Sequence, residues 1–114
     1  MTDDRLYLTH ILECIARIEQ YVTGGEQVFR ESSLVQDAVL RNLQTLAEST
    51  QRLSADLKAD HPGIEWQGLT GFRNVLVHDY LGVDLEYCWR LIKHKLPELK
   101  RSLADILEEL GRRS

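Results

Sequence analysis

An arginine, a histidine and a tyrosine fall close together as R-x4-H-x-Y: Arg73, His78 and Tyr80, with Asn74 directly after the arginine. A guanidinium is a permanent cation whose fork matches phosphate oxygens. An imidazole takes or gives a proton near neutral pH. A phenol hydrogen-bonds, stacks on a base, or accepts a modifying group. These are groups that phosphate or RNA chemistry can use. They lie in the segment Gly71 to Trp89, GFRNVLVHDYLGVDLEYCW, and the rest of the chain reads as scaffold for it.

On a helix turning roughly 100° per residue, Leu69, Phe72, Val75, Leu76 and Val77 span one broad apolar arc. Asn74 and His78, four apart, share a polar stripe opposite it. Arg73 sits at the margin between arc and stripe, and Tyr80 returns to nearly its angle. A spacing of five puts Arg73 and His78 roughly 140° apart, a poor pair within one copy of the helix. Two copies facing across a two-fold axis would bring them together in one groove, which leads to the expectation of a homodimer with a composite site. Plainer readings also fit. An Arg-Asn pair suits a solvated helix face, a histidine near a helix C-terminus is favoured by the dipole, and a tyrosine can sit in a core with its hydroxyl outside.

The elements around this segment read as helices. The chain has 114 residues, 43% apolar and 28% charged, which suits a single folded domain over residues 1–114. Leu8, Ile11, Leu12, Ile15, Ile18 and Val22 recur at three- and four-residue steps behind the capping residues Thr2, Asp3 and Asp4. Gly24-Gly25 should end that helix, leaving residues 26–31 as a short connector. Ser33 and Gln36 suggest a capping box. A long second helix should then run through Val35, Val39, Leu43, Leu46, Thr50, Leu53 and Leu57 to the stop His61-Pro62-Gly63. A third should run from near Ile64 to near Tyr80, and a fourth should begin after Asp84 with Leu85, Cys88, Trp89 and Ile92. Pro97 either starts a final helix or kinks the fourth. Leu99, Leu103, Ile106, Leu107 and Leu110 complete the pattern. The fold class is all-α, a four- to five-helix antiparallel bundle with short loops.

Composition narrows the chemistry further. A net charge of −4 weighs against broad, non-specific nucleic-acid binding, though not against a local basic site. Lys93-His94-Lys95 is one such small basic patch, with a solvated helix end as the simpler reading. The histidines His10, His61 and His94 show no metal-ligand spacing, so no metal and no cofactor are expected. Cys14 and Cys88 read as buried reduced thiols. Trp66 and Trp89 read as core or interface. With no signal-like N-terminus and no membrane-length apolar run, the expected location is the cytoplasm.

The motif also carries a likeness. The chain resembles the HepT-like toxins of the HEPN superfamily, the toxin half of a HepT/MntA-type toxin–antitoxin pair. The likeness covers most of the chain and is strongest from His61 to Leu99: HPGIEW, then GFRNVLVHDYLGVDLEYCW, then LPEL. The stretch AVLRNLQTLAES, Ala38 to Ser49, is similar to that family's second long helix. R-x4-H alone would be unspecific; R-N-x3-H-x-Y followed by G-V-D and a tryptophan is not. A mild departure at Ala47-Glu48-Ser49-Thr50, where relatives often carry smaller apolar residues after the glutamate, touches packing and not the site.

The resemblance implies an all-α, HEPN-like dimer acting as a metal-independent endoribonuclease in a type VII-like system. By that likeness Arg73 and His78 are the catalytic pair and Asn74 their polar companion. The implied partners are substrate RNA and a cognate MntA-type nucleotidyltransferase antitoxin, in a homodimer or a larger complex with it, away from any membrane. The antitoxin would transfer AMP from ATP onto Tyr80 and silence the toxin. The alternative is a non-catalytic substrate-binding partner of a minimal nucleotidyltransferase; a plain helical interaction protein comes third.

Overall fold

A computed structural model describes residues 3–66 and 85–113 of the chain. Everything described is helix or the turns between helices, with no strand among the described residues. The order is α1 (Asp4–Tyr21), α2 (Glu26–Glu31), α3 (Ser33–Gln51), α4 (Ala55–Asp60), α5 (Leu85–Arg90), a π-helical turn (Leu91–Lys95) and α6 (Leu96–Arg113). This is the all-α antiparallel bundle expected from the periodicity.

Helix α1 forms where the three- and four-residue apolar steps predict it. Asp3 is its N-cap, its carboxylate accepting the Leu6 N–H at 3.2 Å. Leu8, Ile11, Cys14, Ile15 and Ile18 are buried. They meet Val39, Leu43, Leu46 and Ala47 of α3, and Leu99, Leu103 and Ile106 of α6, in one core. Burying a Leu or Ile side chain contributes about 1.5–3 kcal/mol, so this three-helix seam dominates stability. An exposed ion pair, Lys100 Nζ to Glu19 Oε1 at 3.0 Å, joins α6 to α1 at the surface.

Three boundaries differ from the sequence reading. Residues 26–31 are not a connector but the short helix α2, entered through Gly25 at φ +95°, a left-handed conformation that favours glycine. Surface pairs at four-residue spacing, Arg30 to Glu26 and Gln27 to Glu31, support α2, and Phe29 buries its face. The cap of α3 is Ser32, not Ser33: the Ser32 hydroxyl accepts the Val35 N–H at 3.2 Å. Gln36 does not close a capping box. Its amide donates to the carbonyls of Phe29 and Arg30, at 2.9 and 3.0 Å, satisfying the end of α2.

The long second helix is divided as well. α3 stops at Gln51, and Ser54 starts α4 by accepting the Leu57 N–H at 3.1 Å. Leu53 and Leu57 remain buried, which is why the apolar stripe ran on through the break.

At the other end α5, the π turn and α6 follow one another directly. The Leu96 N–H reaches back five residues to the Leu91 carbonyl. Pro97 explains the widening. It has no N–H to give, and in a regular helix its ring would press on the carbonyl of Lys93, four residues back. The proline therefore distorts the helix without starting a new one.

Candidate functional site

Arg73, Asn74, His78 and Tyr80 lie outside the described residues, as do most of the expected third helix and the Asp84 cap. The described residues on either side frame them, and that frame is well built.

On the entering side, Ser54 holds the start of α4, and Asp4 holds Ser54. Asp4 Oδ1 accepts the Ser54 backbone N–H at 2.8 Å, and Asp4 Oδ2 accepts its hydroxyl at 2.6 Å. After α4, residues 61–66 turn tightly. The His61 carbonyl accepts both the Ile64 N–H, at 3.3 Å, and the Trp66 indole N–H, at 3.0 Å. Trp66 is half-buried against the core. The chain is thus pinned just before the segment that carries the motif.

On the leaving side, Cys88 and Trp89 are buried. Trp89 stacks on Phe29 with ring centroids 5.6 Å apart and planes 28° apart, which ties α5 to α2. Beyond it the π turn presents Lys93, His94 and Lys95 to solvent between buried Ile92 and buried Leu96. Lys93 Nζ lies 5.7 Å from the Trp89 ring centroid, a cation–π contact. Lys95 Nζ lies 3.5 Å from Glu65 Oε2, so the two ends of the frame meet at this pair.

The other candidates resolve as structural. Cys14 and Cys88 are buried, and burial pushes the Cys14 thiol up, with Arg17 pulling it back only in part. His10 Nδ1 lies 3.4 Å from Ser49 Oγ, a contact between α1 and α3. Thr50, also buried, turns its hydroxyl to the Leu46 carbonyl at 2.9 Å. No group of three or more His, Cys, Asp or Glu side chains suited to a metal occurs among the described residues. No helix among them is long and apolar enough to cross a membrane. The frame itself, from the Asp4–Ser54 contact to the π turn, was missed by the sequence reading. Only the proline and the basic triplet hinted at it.

Comparison with known proteins gives this frame a family. A family model described as ribonuclease HepT-like matches residues 11–106. The chain belongs to the HepT-like family. A HepT-like relative in Methanocaldococcus jannaschii, named gamma-glutamylcyclotransferase and, provisionally, RNase, is 35% identical over 111 residues, 96% of this chain. The chain spans 50% of that relative's length. A protein of Caldanaerobacter subterraneus subsp. tengcongensis, provisionally named an RNase, is 30% identical over 110 residues, covering 96% of this chain and 98% of its own. Among solved structures, a tri-AMPylated HEPN toxin of Shewanella oneidensis in complex with an MNT antitoxin superposes with a TM-score of 0.70. It is 25% identical, over 96% of this chain and 99% of that one.

Proposed function

We propose that this chain is the toxin of a HEPN/nucleotidyltransferase pair: a metal-independent endoribonuclease that is silenced by AMP transfer onto Tyr80. The observation that supports the reading best is the near full-length likeness to an AMPylated HEPN toxin bound to an MNT antitoxin. The R-N-x3-H-x-Y motif supplies the residues such chemistry needs.

Cleavage of RNA without a metal needs a base for the 2′-hydroxyl proton and an acid for the departing 5′-oxygen. It also needs positive charge where the phosphorane forms. In a two-fold dimer, one His78 takes the 2′-proton as O2′ attacks phosphorus, and the other protonates the leaving oxygen. The Arg73 guanidiniums hold the non-bridging oxygens, and Asn74 supports the groove by hydrogen bonding. Adenylylation attaches AMP through the Tyr80 oxygen with loss of pyrophosphate from ATP. The added phosphate competes with RNA for Arg73, and the added nucleoside fills the groove.

The test is incubation of the purified protein with tRNA and mRNA in EDTA, beside Arg73→Ala. Cleavage by the wild type alone is the expected result. Cleavage that stops in EDTA and returns with Mg²⁺, or that persists in Arg73→Ala, would overturn the reading.

A further inference from the structure

We infer that the exposed basic face of the π turn, Arg90, Lys93 and His94, is a docking surface for the phosphate backbone of single-stranded RNA outside the cleavage site. The inference rests on the ribonuclease reading above and names where its substrate lies.

Three observations carry it. The first is charge. The chain is acidic overall, at −4, yet R-L-I-K-H-K from Arg90 to Lys95 holds four basic residues and no acid. Arg90, Lys93 and His94 are exposed within five consecutive residues. Like charges so placed oppose helix formation, and among the described residues only Lys93 of the three, over the Trp89 ring, has a contact within the fold. Among the described residues no carboxylate pairs with these three; Glu65 pairs instead with Lys95.

The second is preorganisation. The π turn puts three consecutive basic side chains in solvent between buried Ile92 and Leu96. The ammonium of Lys93 is held over the Trp89 ring at 5.7 Å, and that ring is itself fixed by its stack on Phe29. A cation already held loses less side-chain freedom when it meets a phosphate.

The third is position. The segment carrying Arg73 and His78 follows Glu65-Trp66 in the chain and precedes α5, which ends at Arg90. Glu65 Oε2 lies 3.5 Å from Lys95 Nζ, so the chain just before that segment touches this turn. RNA held at that segment and extending past Glu65 would lie against these cations. Lys93 and Arg90 supply charge, and His94 supplies a hydrogen-bond donor.

The experiment uses the full chain and a short fluorescent 2′-O-methyl RNA, which lacks the attacking hydroxyl and so reports binding alone. Affinity is measured across a salt series for wild type, for Arg90→Gln/Lys93→Gln, and for Arg41→Gln/Arg52→Gln, an equal charge loss on α3 and its end. Each lost phosphate contact lowers the slope of log K against log salt by about 0.7 for a single strand. The π-turn variant should therefore lose about 1.4 from the slope, and the α3 variant much less. With cleavable RNA, the π-turn variant should show its loss in KM and not in kcat. The charge-keeping variant Arg90→Lys/Lys93→Arg should restore wild-type binding. An unchanged slope, an equal change in the α3 variant, or a loss confined to antitoxin association would overturn the inference. If the wild type binds the analogue through this face but cleaves no ordinary RNA, the ribonuclease reading fails while the docking surface stands.

Discussion

Asp4 takes both polar hydrogens of Ser54, a residue fifty positions away in the sequence. One carboxylate thereby joins the first turn of α1 to the cap of α4, and the Ser54 oxygen passes the order on to Leu57. This chain of bonds stabilises the approach to the segment that carries Arg73 and His78. Hydrogen bonds to a charged group contribute about 1.5–3 kcal/mol. Asp4→Ala should therefore lower the thermal midpoint by at least about 4 °C. Asp4→Asn keeps one acceptor and should fall between. A midpoint for Asp4→Ala equal to wild type in calorimetry would show that water replaces the carboxylate without loss.

The start of α3 offers a sharper pair. Ser32→Ala removes the cap and should cost about 0.5–2 kcal/mol in urea unfolding. Ser33→Ala, at an exposed first-turn position, should change stability by less than about 0.5 kcal/mol. Equal costs would mean that the hydroxyl of Ser32 does not cap the helix in solution.

Phe29 is fully buried on the short helix α2, which has little intrinsic stability of its own at six residues. Phe29→Ala should cost about 3–5 kcal/mol and free Trp89 from its stack. Tryptophan fluorescence should shift to the red in the same variant. A stable variant with unshifted emission would contradict the packing described.

For catalysis, Arg73→Ala and His78→Ala should each abolish RNA cleavage and toxicity while the circular dichroism stays helical. Loss of a general acid–base is worth about 10²–10⁴-fold, so a His78→Ala loss of only a few-fold would remove it from that role.

For control, Tyr80→Phe keeps the ring and removes the acceptor oxygen. It should stay active, gain no AMP mass with antitoxin and ATP, and escape neutralisation. Peptide mass spectrometry placing AMP on another residue would refute the assignment.

What could be read beforehand followed from what is local. α1 was legible because Leu8, Ile11, Ile15 and Ile18 repeat the helical period and all face one core. α2 was not, since a lone buried Phe29 in six residues makes no stripe; its signal lay in the Glu26–Arg30 and Gln27–Glu31 spacings. The break between α3 and α4 was hidden because Leu53 and Leu57 stay buried across it, and the stop depends on Asp4 reaching in from another helix. Pro97 announced a distortion, but not whether the helix would end or widen. The motif residues stand out in the sequence through their chemistry and their likeness to a family, since periodicity alone leaves Arg73 and His78 apart, and they lie outside the described residues.

The π turn has a consequence for how this helix changes over generations. It amounts to one inserted residue, and straightening it into regular helix with no residue lost would swing everything after Leu96 by about 100° about the axis. Leu99, Leu103 and Ile106 would leave the core together. The insertion and the proline are therefore bound to one another: a lineage that loses Pro97 can close the turn into regular helix by dropping one residue between Leu91 and Leu96, which keeps the apolar stripe of α6 on the core. Such chains should differ at this point by a paired change, and never by the deletion alone.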